Sequence, residues 1–288
     1  MVRVARPNLA QNATLLRVTW EAPATCNAAP PCAYCNTRKA CAGRAALSAP
    51  AETWRRALLR LAERRGPLWL ATALGDATAD PDTMLILAEL AYDNRVDVCT
   101  NLTAELAALR CLPRNGNVGL VTSFHPHLWG SLGEFLAKRE AVMASGLLCG
   151  LVMIVAYPDH LERLQGWSEE IAAVGTQAVL LPFRGTYEGK QYPNSYSRDE
   201  LRALYPSLEL YGNGEAKLYE VSPRGRLCET GWQYVLVGWD GRVSRCWSEG
   251  GQDYGNLLLG DVDLPGEASA CTSDYCHCPD LWRFVKQT

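Results

Sequence analysis

No stretch of this sequence is apolar over the roughly 20 residues that a helix needs to cross a lipid bilayer. The most apolar run, residues 146–157, is shorter and has the composition of a buried strand. The first 20 residues also lack the apolar core and small-residue cleavage site of a secretory signal. These absences predict a protein that stays in the cytoplasm and has no membrane segment.

The sequence also lacks a surplus of positive charge. Lysine and arginine total 28 against 31 aspartate and glutamate residues, which gives a formal net charge of −3. Because binding a phosphate backbone usually needs a surplus of basic side chains, this balance argues against nucleic acid as the main partner. Internal repeats and low-complexity tracts are missing as well. The 48% of hydrophobic residues predicts a folded protein with a sizeable core.

Apolar runs typical of buried strands alternate with segments of helical periodicity through the first two thirds of the chain. The predicted strands are residues 15–20, 68–72, 96–100, 118–122, 150–157 and 178–181. The predicted helices are residues 52–63, 81–92, 104–110, 128–144 and 161–173. Strands separated by crossover helices pair in parallel, so this order predicts an α/β sheet or barrel, between which periodicity cannot choose.

A different pattern begins after residue 205. Two short apolar segments, 232–237 and 242–246, flank an Asp-Gly dipeptide, which favours a tight hairpin turn. This hairpin and the cysteines around it predict a small second domain over residues 206–288, after a first domain over residues 1–205.

Three of the twelve cysteines, Cys26, Cys32 and Cys35, lie in one loop directly after the first predicted strand. In a cytosolic chain of this size, clustered cysteines are typical of metal or redox chemistry rather than of disulfides. A closed zinc or iron–sulfur site takes four protein ligands, so three thiolates would leave one metal position open for a substrate or cofactor. The spacing alone also fits a structural zinc with a fourth ligand from elsewhere, or buried thiols.

A second group of cysteines lies in the C-terminal part of the chain. Its members are Cys228, Cys246, Cys271, Cys276 and Cys278. A hairpin that presents two cysteines toward further thiols can enclose a metal, and a structural zinc is the alternative to an iron–sulfur cluster here. Five thiols exceed the four that one cluster needs, and the sequence does not choose which two of the last three complete the set. The other cysteines, Cys41, Cys99, Cys111 and Cys149, lie in apolar settings that predict buried structural thiols.

The first cysteine loop resembles the cluster-binding loop of the radical S-adenosylmethionine (radical SAM) superfamily, including the aromatic Tyr34 just before its last cysteine. It has five residues between its first two cysteines, where most members have three. Pro30 and Pro31 fix a local kink that takes up the extra length.

Further resemblances to this superfamily lie at the ends of later predicted strands. Residues 74–81 resemble its Gly-Gly-Glu-Pro motif, which meets the amino group of SAM, and Thr100-Asn101 resembles its Thr-Asn-Gly element. Sites in parallel α/β folds gather at the carboxyl ends of the strands, so these elements are expected to share one site. The residues thereby implied to bind SAM are Tyr34, Gly75, Asp76, Thr100, Asn101, Ser123 and Arg184.

Simpler interpretations of these residues stay open. The turn after the second strand could be no more than a helix cap, and Arg184 could form a structural salt bridge or hold an acidic substrate. His125 and His127, at the end of the fourth predicted strand, could act as proton carriers or substrate contacts, or be ordinary loop histidines.

The C-terminal cysteines resemble the auxiliary-cluster hairpin of twitch and SPASM subdomains. The two resemblances together imply a partial (β/α)6 TIM-type barrel followed by a β-hairpin plus helix that carries one auxiliary 4Fe-4S cluster. They imply two 4Fe-4S clusters, SAM, and an external electron donor such as flavodoxin or ferredoxin. The implied reaction is cleavage of SAM to a 5′-deoxyadenosyl radical, which abstracts hydrogen from a peptide or small-molecule substrate.

Dehydrogenation and epimerisation are both open as outcomes of such a reaction. The alternative outside enzymes is a non-catalytic iron–sulfur or zinc protein that carries electrons or acts as an interaction module.

Overall fold

The computed structural model describes residues 15–35, 42–197, 199–200, 204, 222–247 and 252–274. Strands of its first part are β1 (Leu16–Trp20), β2 (Leu68–Thr72), β3 (Arg95–Thr100), β4 (Val118–Phe124), β5 (Leu148–Ala156) and β6 (Ala178–Pro182). Its α-helices are α1 (Ala51–Arg65), α2 (Pro81–Leu90), α3 (Leu132–Ala144) and α4 (Leu161–Ala173). The six predicted strands are confirmed, and each pairs in parallel with the next.

Two of the predicted helices differ from the structure. Between β3 and β4 the predicted helix 104–110 is only a short 3-10 helix, Leu106–Leu109, because Leu102 has a left-handed φ of 62° and Pro113 prevents continuation. Helix α3 begins later than predicted, since Ser131 caps it by accepting a hydrogen bond from the N–H of Glu134.

Helices cover one face of the sheet, and the alternation of strand residues decides which side chains they meet. In β4 every second side chain is buried. Phe124, the last of these, packs against Phe135 of α3 and Trp167 of α4, with ring centroids 5.3 Å apart in both pairs. At the other end of the helical layer Trp20 of β1 and Trp54 of α1 are both fully buried, with centroids 5.2 Å apart. The intervening strand residues therefore face the barrel interior.

The later strands are short. They are β7 (Gly185–Tyr187), β8 (Lys190–Tyr192), β9 (Leu227–Cys228), β10 (Tyr234–Val237), β11 (Arg242–Ser244), β12 (Asp253–Asn256) and β13 (Ser269–Ala270). The predicted hairpin is confirmed as β10 and β11, which pair antiparallel. Strands β7 with β8 and β9 with β13 form two further two-stranded sheets.

The hairpin also extends the main sheet. Strand β10 pairs in parallel with β1, from Arg17 opposite Tyr234 to Trp20 opposite Val237. The result is a nine-stranded sheet in the order β12-β11-β10-β1-β2-β3-β4-β5-β6. The predicted domain boundary at residue 205 stays a prediction because it lies outside the described residues, as does the helix expected at the C-terminus. None of the helices that the structure describes is long and apolar enough to cross a bilayer.

Candidate active site

The loop of Cys26, Cys32 and Cys35 leaves the carboxyl end of β1. None of the three forms a disulfide; Cys26 is exposed and the other two are half-buried. Burial raises the pKa of Cys32 to about 12, and the thiolates of Cys35 and Cys26 add to that rise, so the three sulfur atoms are close enough to affect one another. A bound metal cation would instead lower the pKa of these thiols, because a coordinating thiol loses its proton outright.

The number and type of these ligands fit a four-iron cluster. Within the described ranges of the chain, no three Cys, His, Asp or Glu side chains converge where one metal ion could bind. Each thiolate of a four-iron cluster binds a different iron, so its ligands need not converge on one point. Three thiols along one loop are a donor set suited to a 4Fe-4S cluster with one open iron.

The turn after β2 packs backbone to backbone against the start of the cysteine loop. Gly75 has a φ of 52°, and a Cβ added there would lie 2.1 Å from the carbonyl oxygen of Thr25 and 2.3 Å from that of Pro23. The N–H of the next residue, Asp76, donates to the same Thr25 carbonyl at 2.9 Å. Only glycine fits this close approach, which ties β2 to the loop that carries Cys26.

Asp76 links the ends of β2 and β3. Its carboxylate is only 1% exposed and accepts hydrogen bonds from the N–H groups of Thr78 at 2.9 Å and Asn101 at 2.7 Å. It also accepts from the hydroxyls of Thr78 at 2.5 Å and Thr100 at 3.1 Å. Burial raises the pKa of Asp76, and these hydrogen bonds oppose the rise. The Asp76 side chain therefore joins the turn after β2 to the end of β3.

Asn101 connects the end of β3 to the cysteine loop. Its side-chain Nδ2 donates to Oδ1 of Asn27 at 2.9 Å and lies 3.9 Å from the sulfur of Cys26. Its Oδ1 accepts from the N–H of Thr103 at 2.9 Å, which fixes the orientation of the amide. The structure thus brings Gly75, Asp76 and Asn101, three residues of the predicted SAM site, together beside Cys26.

The histidines after β4 lie against the other end of the cysteine loop. Nδ1 of His125 is 2.9 Å from the hydroxyl of Tyr34 and 3.7 Å from the sulfur of Cys32. Burial lowers the pKa of His125 to about 4, and His127 adds to the effect, so the imidazole of His125 is neutral at pH 7. Burial also lowers the pKa of His127, against a hydrogen bond to the backbone of Pro30. Both histidines contact the loop that carries the thiols.

Two further residues at this edge were missed by the sequence prediction. Tyr157 follows β5, and its ring centroid lies 5.2 Å from that of Tyr34; His160 lies 6.2 Å from Tyr34. Their signal in the sequence was their position at the carboxyl end of the fifth predicted strand. Ser123 in β4 and Arg184 after β6 lie at the carboxyl ends of their strands, and their roles toward the ribose and the carboxylate of SAM stay predictions.

Two of the C-terminal cysteines, Cys228 and Cys271, lie in or next to the paired strands β9 and β13. Cys228 is buried in β9 and lies opposite Ser269, two residues before Cys271. The N–H of Cys271 donates to the carbonyl of Arg226 at 2.8 Å. Burial raises the pKa of Cys271, and the thiolates of Cys228 and Cys246 contribute to the rise. The strand pairing thus brings the chain at Cys228 and Cys271 together, and the Cys246 thiolate is near enough to raise the pKa of Cys271, while Cys276 and Cys278 lie outside the described residues.

The remaining cysteines are less buried than predicted. Cys99 and Cys149 are half-buried, Cys111 is exposed, and Cys41 lies outside the described residues. The prediction is wrong for Cys111 because its apolar neighbours Leu109 and Leu112 point into the core and leave the thiol between them outside.

The fold of this chain, a parallel sheet in this order with the cysteine loop at its carboxyl edge, is similar to that of several solved structures. Among solved structures, a histidine-tagged anSMEcpe with bound AdoMet is similar at a TM-score of 0.60 and 15% identity, over 85% of this chain and 75% of that one. Native anSMEcpe with AdoMet and the Cp18Cys peptide is similar at 0.58 and 14%, over 85% and 78%. No protein-family model and no curated protein matches the chain.

The contact of Tyr34 with His125 gives a prediction about the cysteine loop. We expect Tyr34→Phe and His125→Ala each to lower the free energy of unfolding, and the double variant to lower it by about 1 kcal/mol less than the sum, because both remove one hydrogen bond. Urea unfolding of the metal-free protein measures this coupling. Strict additivity of the two changes would show that the hydrogen bond does not form in solution.

Proposed function

We propose that the protein is a radical SAM enzyme whose Cys26, Cys32 and Cys35 bind a 4Fe-4S cluster. The observation that carries this proposal is the set of three cysteines in one loop at the carboxyl edge of the parallel sheet. When bound, the cluster would supply one electron to SAM, whose cleavage yields methionine and a 5′-deoxyadenosyl radical that abstracts hydrogen from the substrate. The similar structures that contain AdoMet support this cofactor.

The residues around the loop hold and orient it. Gly75 lets the turn after β2 approach the loop, and Asp76 fixes the end of β3, from which Asn101 reaches Cys26. Tyr34 and His125 fix the loop near its last two cysteines. To SAM itself we assign the predicted set of Tyr34, Gly75, Asp76, Thr100, Asn101, Ser123 and Arg184.

For the auxiliary cluster we propose Cys228, Cys246 and Cys271 as ligands, with one of Cys276 and Cys278 as the fourth. The pairing of β9 with β13, which brings the chain at Cys228 and Cys271 together, and the effect of the Cys228 and Cys246 thiolates on the pKa of Cys271 support the inclusion of these three thiols. This centre would bring the protein to two clusters.

We further propose that the substrate is a peptide. Two similar structures contain peptides, Cp18Cys and Kp18Cys, together with AdoMet, which supports this class over a small metabolite. Product mass would separate the possible outcomes. Dehydrogenation removes two hydrogens, whereas epimerisation leaves the mass unchanged in ordinary water and adds one deuterium in deuterated solvent. An external donor such as flavodoxin or ferredoxin would supply the electron.

Anaerobic reconstitution of the full chain tests the proposal. We expect about eight irons and about eight sulfides per chain, as two four-iron clusters require, and 5′-deoxyadenosine on addition of dithionite and SAM. Zinc without sulfide, or clusters whose spectrum does not change when SAM is added, would instead favour a non-catalytic metal protein.

A further inference from the structure

Arg245, directly after β11, is a buried cation whose described partners are all uncharged. Its side chain is 3% exposed. The guanidinium donates to the carbonyl of Ser269 at 2.7 Å, the carbonyl of Ala270 at 2.8 Å, the hydroxyl of Thr230 at 3.1 Å and the carbonyl of Cys228 at 3.2 Å. Among the residues that the structure describes, no carboxylate forms an ion pair with it.

A buried guanidinium without a counter-charge is energetically unfavourable. Burial of an ionised group is strongly unfavourable unless an opposite charge accompanies it, and arginine cannot avoid the penalty by losing its proton. Carbonyl and hydroxyl oxygens satisfy the N–H groups but leave the positive charge uncompensated. The fold therefore fixes a buried positive charge here, and the thiols beside Arg245 distinguish this site from that of Arg139, another buried arginine whose described partners are uncharged.

Each of the three described C-terminal cysteines is connected to this cation by hydrogen bonds or through an adjacent residue of the chain. The hydroxyl of Thr230 bridges Arg245 to the sulfur of Cys228, which lies 3.1 Å from it. Cys246 is the next residue along the chain, and Cys271 directly follows Ala270, whose carbonyl accepts from the guanidinium. Thiolates at these positions would supply the missing negative charge.

We propose that Arg245 is the counter-charge of the auxiliary cluster and makes that cluster easier to reduce. This inference rests on the auxiliary centre of the proposed function. A four-iron cluster with thiolate ligands gains one negative charge on reduction, and a fixed cation beside it stabilises the reduced form more than the oxidised form. Arg245 is a positioning residue here, because it acts through the charge of the ligand shell rather than by touching a substrate.

The test measures the reduction potential of the auxiliary cluster alone. The parent is the full chain with Cys26→Ala, Cys32→Ala and Cys35→Ala, reconstituted anaerobically with iron and sulfide and titrated by EPR. In it, Arg245→Met and Arg245→Gln should shift the one-electron reduction equilibrium at least about tenfold toward the oxidised cluster, which is about 59 mV. Glutamine keeps an amide donor for the carbonyls of Ser269 and Ala270, so it removes charge with less disruption of the fold. Arg245→Lys, which keeps the charge, should stay close to the parent.

Arg139→Met is the matched control. Arg139 is likewise buried, at 6% exposure, and donates to the carbonyls of Cys149 and Gly150 and to the hydroxyl of Thr176, within the first part of the chain. Its loss removes a buried guanidinium of the same kind without a thiol cluster nearby. The potential of the auxiliary cluster should therefore not change.

The outcomes separate this inference from the proposed function. Neutral variants of Arg245 that hold about four irons at the parent's potential would overturn the inference alone. Neutral variants that fold but bind no iron, beside an Arg245→Lys variant that binds it, would support it. A parent that takes up no iron and sulfide would overturn the auxiliary centre and the inference together. Absence of 5′-deoxyadenosine from the protein with all its cysteines would count against the proposed activity and leave the measured potentials valid.

Discussion

Alanine in place of Cys26, Cys32 or Cys35 should abolish the formation of 5′-deoxyadenosine from SAM. Three thiolates are the fewest that hold a four-iron cluster with one open iron, so the loss of any one should release the cluster or close off its reaction with SAM. Iron should fall from about eight to about four per chain, because the C-terminal cysteines are untouched. Chromatography after incubation with dithionite and SAM measures the first effect, and iron and sulfide analysis measures the second.

The matched control for these variants is Cys111→Ala. Cys111 is an exposed free thiol beyond the 3-10 helix between β3 and β4, where its sulfur lies 3.6 Å from the carbonyl of Ala108. Its replacement should leave both the iron content and 5′-deoxyadenosine formation at the level of the unaltered protein. Full product formation by any of the three loop variants would instead rule out the loop as the cluster site.

The sequence predicted the parallel sheet well because its strands are encoded locally. Each of the six strands is a short apolar run whose side chains meet covering helices or the barrel interior, and β2 has the predicted bounds. The pairing of β10 with β1 was not predictable in this way. The register that sets Arg17 opposite Tyr234 joins segments more than two hundred residues apart, and no local pattern encodes such a partner.

The site was predictable to the level of its loops but not of its side-chain contacts. The prediction placed Asp76 at the carboxyl edge, but not the hydrogen bonds that its oxygens accept from Thr78, Thr100 and Asn101. The contact of His125 with Tyr34 joins two loops more than ninety residues apart. Contacts of this kind depend on which strands are neighbours in the sheet, and sequence periodicity does not indicate the order of the strands.

Gly75→Ala should lower the free energy of unfolding more than alanine at any other described turn glycine. A left-handed φ alone makes alanine unfavourable by about 1 to 2 kcal/mol. At Gly75 the added Cβ would also lie 2.1 Å from the carbonyl oxygen of Thr25, and neither partner is a flexible side chain that could turn away. The turn after β2 or the cysteine loop must therefore move, so we expect a loss of more than about 3 kcal/mol in the free energy of unfolding and little 5′-deoxyadenosine.

Gly66→Ala separates the two causes. Gly66 also has a left-handed φ, 81°, but a Cβ added there would meet no atom within 4 Å. Urea unfolding should therefore show only the conformational penalty for Gly66→Ala, about 1 to 3 kcal/mol because a ψ of −174° places Gly66 in a region that essentially only glycine adopts, with iron uptake and SAM cleavage unchanged. The difference between the two variants measures how tightly the turn after β2 holds the cysteine loop. Equal effects at the two positions would mean that the loop tolerates displacement, and Gly75 would then have no particular part in positioning Cys26.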